Sequence, residues 1–140
     1  MEHEEAAGPV EVIARRVKEV RGRKGLTAQQ LADRLRKAGV PWDRATVTKL
    51  ETNRRQNVSV VELLALARVL DVAPVHLLVP LGEGPYQVTP NETALASRAR
   101  RWVRGDTTLR GGDAQIYYSE VPLDEIRQVQ QLGTAHEEQG

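Results

Sequence analysis

The chain has 140 residues, 40% of them apolar but only 4% aromatic, with no Phe and no Cys, so disulfides and thiolate metal sites are excluded. A core of Leu, Val, Ile and Ala in a chain this short points to packed helices, in one small domain with an extension. The net charge of +1 is unevenly spread: residues 1–9 carry three Glu and no Lys or Arg, residues 10–81 carry 14 Lys and Arg against 7 Asp and Glu, and residues 82–140 carry 6 against 9.

Residues 1–9 read as an acidic, disordered N-terminus. Val10, Ile13, Ala14, Val17 and Val20 then recur at helical spacing and predict a first helix that stops near Gly25. Thr27 is an N-cap, with Gln30 in the capping-box position, for a second helix whose inner stripe is Ala28, Leu31, Ala32 and Leu35 and which Gly39 ends. After the turn Val40-Pro41-Trp42, Asp43 caps a short third helix that buries Val47 and Leu50, and Asn53 ends it. Ser59 caps a fourth helix with Val60, Leu63, Leu64, Ala67 and Leu70 facing inward, and Pro74 opens a fifth that Pro80 closes. The fold class is all-α: a five-helix domain over 10–81. Residues 82–93, opening Gly-Glu-Gly-Pro, read as a linker. Residues 94–132 form an extension of mixed helix and one strand. A basic helix covers Ala94–Val103, the strand covers Ala114–Val121, a last helix covers Pro122–Gln131, and 133–140 read as a disordered tail.

A basic block between acidic ends is the charge pattern of a segment that meets phosphate. Helix two, a tight turn and helix three, over residues 27–55, are the parts of a helix-turn-helix. With Val47 and Leu50 inside, Arg44, Ala45, Thr48 and Lys49 fall on the exposed side of helix three, with Thr46 and Thr52 at its margins. Arg44 and Lys49 suit guanine O6 and N7, while Ala45 and Thr48 suit the thymine methyl. Thr27, Gln29, Thr46, Thr52, Arg54, Arg55 and Ser59 are the candidates for phosphate contact.

Three runs in this order resemble the lambda-repressor/Cro-like (XRE) helix-turn-helix family. They are Gly25-Leu-Thr-Ala-Gln-Gln-Leu-Ala32, Ala45-Thr-Val-Thr-Lys-Leu-Glu-Thr-Asn-Arg54 and Leu63-Leu-Ala-Leu-Ala-Arg-Val-Leu-Asp-Val72. The resemblance implies a five-helix domain that docks helix three in the major groove, commonly as a two-fold dimer. It places Arg44, Ala45 and Lys49 at base-reading positions and Thr52, Arg54, Arg55 and Ser59 at backbone-contacting ones. It also makes Arg21 and Glu51 a structural salt bridge between helices one and three. The chain departs from the family at Ala28, where Gln is common, and at Asn53, which replaces a usual Gly. The stretch through Pro41-Trp42-Asp43 is also about two residues longer than in short repressors.

Trp42 reads as a packing residue rather than one that stacks on bases. His3, His76 and His136 lack metal-ligand spacing, no serine has triad surroundings, and no phosphate loop follows Gly82-Glu-Gly84, so neither an enzyme nor a cofactor is expected. No apolar stretch approaches the roughly 18 residues of a membrane span, and the acidic start is unlike a signal peptide, so a cytoplasmic protein, nucleoid-associated when on DNA, is expected. Three uses of the extension stay open: extra DNA contacts from Arg98, Arg100, Arg101 and Arg104, an acidic protein partner, or dimerisation through Trp102, Ile116, Tyr117 and Tyr118. The expected function is a sequence-specific regulator that binds double-stranded DNA as a homodimer. The alternatives are an antitoxin that also binds a toxin partner, or an interaction module without DNA affinity.

Overall fold

The computed structural model describes residues 6–125. The described residues fall into two compact units, one up to Arg100 and one from Arg101 on. The first begins with five helices: α1 (Pro9–Arg23), α2 (Ala28–Lys37), α3 (Arg44–Glu51), α4 (Val60–Leu70) and α5 (Pro74–Leu78). Their boundaries follow from local chemistry. Pro9 sits in the first turn of α1, where a missing N–H costs nothing. Thr27 with Gln30, and Ser59 with Glu62, form complete capping boxes at the starts of α2 and α4. Gly25, Gly39, Asn53 and Asp71 take the left-handed conformation that ends each of the first four helices or follows its end.

The main core draws Ile13, Val17 and Val20 from α1, Leu31 and Leu35 from α2, Val47 and Leu50 from α3, and Leu66 and Leu70 from α4. On α4 the inner stripe is Leu63, Leu66, Ala67 and Leu70, and the expected inward placement of Val60 and Leu64 is wrong. These two are 72% and 53% exposed, as is Val61 at 70%. A helix apolar on every side gives sequence periodicity no unique stripe to find.

Residues 82–93 are not a linker. They belong to a hairpin of β1 (Pro85–Thr89) and β2 (Glu92–Leu95), paired antiparallel with Tyr86 opposite Ala94. Tyr86 is buried, and its hydroxyl donates to the Leu78 carbonyl at 2.9 Å. Burial pushes that hydroxyl's pKa up to about 12. Tyr86 joins Val12, Val75 and Val79, with Ala96 and Ala99 of α6 (Ala96–Val103), in a second apolar cluster. The N-terminal expectation also changes. Ala7 bridges to Tyr86, accepting from Gln87 N at 2.9 Å, so order begins before residue 9, while residues 1–5 lie outside the described residues.

In the second unit the expected strand over 114–121 is instead a helix, α7 (Ala114–Ser119). Asp113 caps it by accepting from Ile116 N, and an N-cap commits the chain to helix despite its β-favouring Ile-Tyr-Tyr. The Tyr117 hydroxyl donates to the Trp102 carbonyl at 2.6 Å and the Tyr118 hydroxyl to the Asp106 carbonyl at 2.7 Å. With no strand there, the case for dimerisation through an unpaired edge at 116–118 falls, although Ile116 is exposed. The end of the expected last helix and the 133–140 tail lie outside the described residues. Among the described residues no helix is long and apolar enough to cross a membrane, and no group of three or more His, Cys, Asp or Glu could hold a metal ion.

Candidate nucleic-acid interface

The candidate interface is built on α3, whose entry is set by the turn before it. Val40 N donates back to the Leu35 carbonyl and Trp42 N to the Val40 carbonyl, which delivers Asp43 to the N-cap. One Asp43 carboxylate oxygen accepts from the Thr46 hydroxyl at 2.7 Å and from Thr46 N at 2.8 Å. These two bonds, the side-chain one first, hold the Asp43 carboxyl below its ordinary range.

Burial of Val47 and Leu50 turns Arg44, Ala45, Thr48 and Lys49 outward. Together with Thr52 and Arg54 these four line one shallow depression of about 460 Å³. The hydroxyls of Thr48 and Thr52 donate to the carbonyls of Arg44 and Thr48, so neither is free as a donor. What they offer a ligand is a methyl group and an acceptor oxygen. The arrangement is a basic, partly apolar surface on a short exposed helix.

The other phosphate candidates are placed differently. Thr27 and Ser59 act as helix caps, and Thr46 is tied to Asp43. Gln29 is exposed on α2, with its amide donating to Asp33 at 3.0 Å. Arg55 is only half-exposed. Its guanidinium lies 4.7 Å from the centre of the Trp42 ring, and Nη1 is 3.2 Å from Glu62 Oε2, an ion pair outside hydrogen-bond geometry. The Trp42 indole N–H donates to the same Glu62 oxygen at 2.8 Å, and Ser59 N donates to the other. Arg55 is thus held against Trp42 and Glu62, while its neighbour Arg54 borders the α3 depression.

Glu62 went unmarked in the sequence reading, yet its signal was present three residues after Ser59, the acidic half of a capping box. Burial pushes its carboxyl up, but the bonds from Ser59 and Trp42 and the positive charge of Arg55 outweigh burial and hold it below the ordinary glutamate range. A carboxylate lowered in this way adds stability that is fully present above the unfolded pKa, about 4.3, and is lost as pH falls through the folded value. The expected result is a stability gap between wild type and Glu62→Gln in urea that is constant near neutrality and narrows in acid. A gap that persists unchanged to low pH would show that the charge of Glu62 does not matter.

Arg21 on α1 and Glu51 on α3 form a two-pronged pair. Arg21 Nε donates to Oε1 at 2.5 Å and Nη2 to Oε2 at 2.8 Å, while Nη1 donates to the Leu26 carbonyl. The pair fixes the inner end of α3 to the first helix and takes the one acidic side chain of that helix out of reach of a polyanion.

Comparison with known proteins bears on the helical domain. A helix-turn-helix domain family matches residues 12–79. The restriction-modification controller protein C.AhdI from Aeromonas hydrophila is 37% identical over 49% of this chain and 94% of its own, with a TM-score of 0.42. A structure of the SinR protein/SinI protein complex is 23% identical over 90% of this chain and 98% of the matched one, with a TM-score of 0.47. No curated protein matches the chain. By the matched model, residues 12–79 of this chain are a helix-turn-helix domain.

Proposed function

We propose that the protein is a sequence-specific transcriptional regulator working in the cytoplasm, with α3 in the major groove of double-stranded DNA and two copies on a palindromic or repeated site. The single observation that carries this reading is the shared depression formed by Arg44, Ala45, Thr48, Lys49, Thr52 and Arg54 on the outer side of a helix whose inner side is fully buried. Long basic side chains beside methyl groups suit base edges in a groove about 12 Å wide, and Arg54 at the rim suits phosphate.

The test is selection of binding sites from random duplex DNA with the full chain, at two salt concentrations. Enrichment of one motif, with affinity falling as salt rises, supports the reading; uniform weak binding or none would leave an interaction module instead. On the selected site Arg44→Ala is expected to cost about 1–3 kcal/mol and to relax the preference at one base pair. Arg54→Ala is expected to weaken all sequences alike and to reduce the salt slope by about one. An unchanged base preference in Arg44→Ala would mean that the register of α3 against the bases is wrong.

A further inference from the structure

Arg16 of α1 is 7% exposed, and among the described residues it is the one charged or polar residue that is buried. Two of its five N–H groups are engaged. Nε donates to the His76 carbonyl at 2.9 Å, which ties α1 to α5, and Nη1 donates to Glu19 at 2.6 Å. The other three, both of those on Nη2 included, meet no acceptor among the described residues. A buried guanidinium ordinarily has its donors filled, because an unmet one has lost water without replacement. Nη2 is not sealed in protein, and Arg16 lines an open cavity of about 600 Å³. That is far more room than the roughly 30 Å³ of one water, and it falls within the roughly 300–1,000 Å³ of small-molecule sites.

The cavity lies between α1, at Val12, Arg15, Arg16 and Glu19, and the stretch that leads into β1, at Leu81 and Pro85. That stretch is held in place. Arg100 of α6 donates to the carbonyls of Pro80 and Gly82, and Ala96 N donates to the Gly84 carbonyl. We infer that this cavity binds a small organic acid, with its carboxylate on the Arg16 guanidinium and its apolar body against Val12, Leu81 and Pro85. A planar guanidinium matches the two oxygens of a carboxylate. In the lining, two arginines against one glutamate leave one net positive charge, which suits a monoanion better than a doubly charged phosphate. The cavity shares no residue with the α3 depression, so the inference goes beyond the DNA-reading function and does not depend on it.

The experiment is calorimetric titration of the full chain, without DNA, with hexanoate, benzoate and inorganic phosphate, and with hexanamide and benzamide as neutral matches. The expected result is binding of a carboxylate at least about tenfold tighter than its amide. Arg16→Lys keeps the charge and loses the planar fork, and is expected to weaken that binding about tenfold. Arg16 also ties α1 to α5, so far-UV circular dichroism checks the fold, and Glu19→Gln decides the question by another route. The Glu19 side chain is half-exposed, and neutralising it removes the anion that competes for Nη1. Carboxylate binding in Glu19→Gln is therefore expected to tighten about tenfold, a gain that a purely structural Arg16 does not give. Phosphate bound more tightly than both acids would overturn the assignment to a carboxylate. Equal binding of acid and amide, or no binding of either acid up to about 10 mM in wild type and Glu19→Gln, would overturn the site. None of these results bears on α3, which the selection of DNA sites tests separately.

Discussion

Glu51→Ala is expected to lower the unfolding free energy by about 3 kcal/mol, with denaturant titration as the measurement. The Glu51 side chain is 6% exposed and that of Arg21 19%, so the pair is shielded from solvent. Removing the carboxylate strands a guanidinium whose remaining bond is to the Leu26 carbonyl. A guanidinium is too strong a base to lose its proton at any working pH, so the arginine cannot escape the cost by becoming neutral. The pattern of variants separates a stranded charge from a lost contact. Replacing both residues by apolar ones is expected to cost less than Glu51→Ala alone, because no unpaired charge is left inside. A double variant as unstable as the sum of the singles would refute this account.

Trp42→Ala is expected to cost about 3–5 kcal/mol in the same assay, since a large buried ring leaves a hole that the surrounding core cannot close. Trp42 is 5% exposed, and it joins three things at once: the main core, the Glu62 carboxylate and the Arg55 guanidinium. Trp42→Phe keeps the ring and removes the indole N–H, for an expected loss of about 1–2 kcal/mol. If Arg55 serves this cluster rather than phosphate, Arg55→Ala weakens DNA binding through a loosened loop without changing the salt slope, unlike Arg54→Ala. A slope that falls equally in both would return Arg55 to the phosphate contacts.

How much of this could be read beforehand depended on whether the deciding chemistry was local. Thr27, Asp43 and Ser59 act on amides three residues away, and Gly25 and Gly39 act on their own backbone, so the starts of α2, α3 and α4 and the early stops were legible. The exposure of Arg44, Ala45, Thr48 and Lys49 followed from the period of α3 once Val47 and Leu50 were inside. Arg55 was not legible, because its fate depends on Trp42 and Glu62, which are distant in sequence and carry no shared period. The hairpin was hidden behind Gly82-Glu-Gly-Pro85, whose residues are those of a linker, and its strands are too short for alternation to stand out. In α7 the error ran the other way: Ile116-Tyr117-Tyr118 has strand propensity, but one Asp cap and two tyrosine hydroxyls bonded to backbone carbonyls decide the conformation.

The second apolar cluster has a consequence for the order in which the chain acquires its structure on the ribosome. One flank of α1 is closed by residues up to Leu77, but Val12 on its other flank waits for Tyr86, Ala96 and Ala99. The bond from Gln87 to the Ala7 carbonyl likewise ties the start of the helical domain to a strand that emerges after all five of its helices. Synthesis therefore presents a helix-turn-helix with a greasy seam along its first helix until the hairpin and the head of α6 leave the exit tunnel. A stop codon placed directly after Val79 would freeze that nascent state permanently, with Val12, Val75 and Val79 facing water.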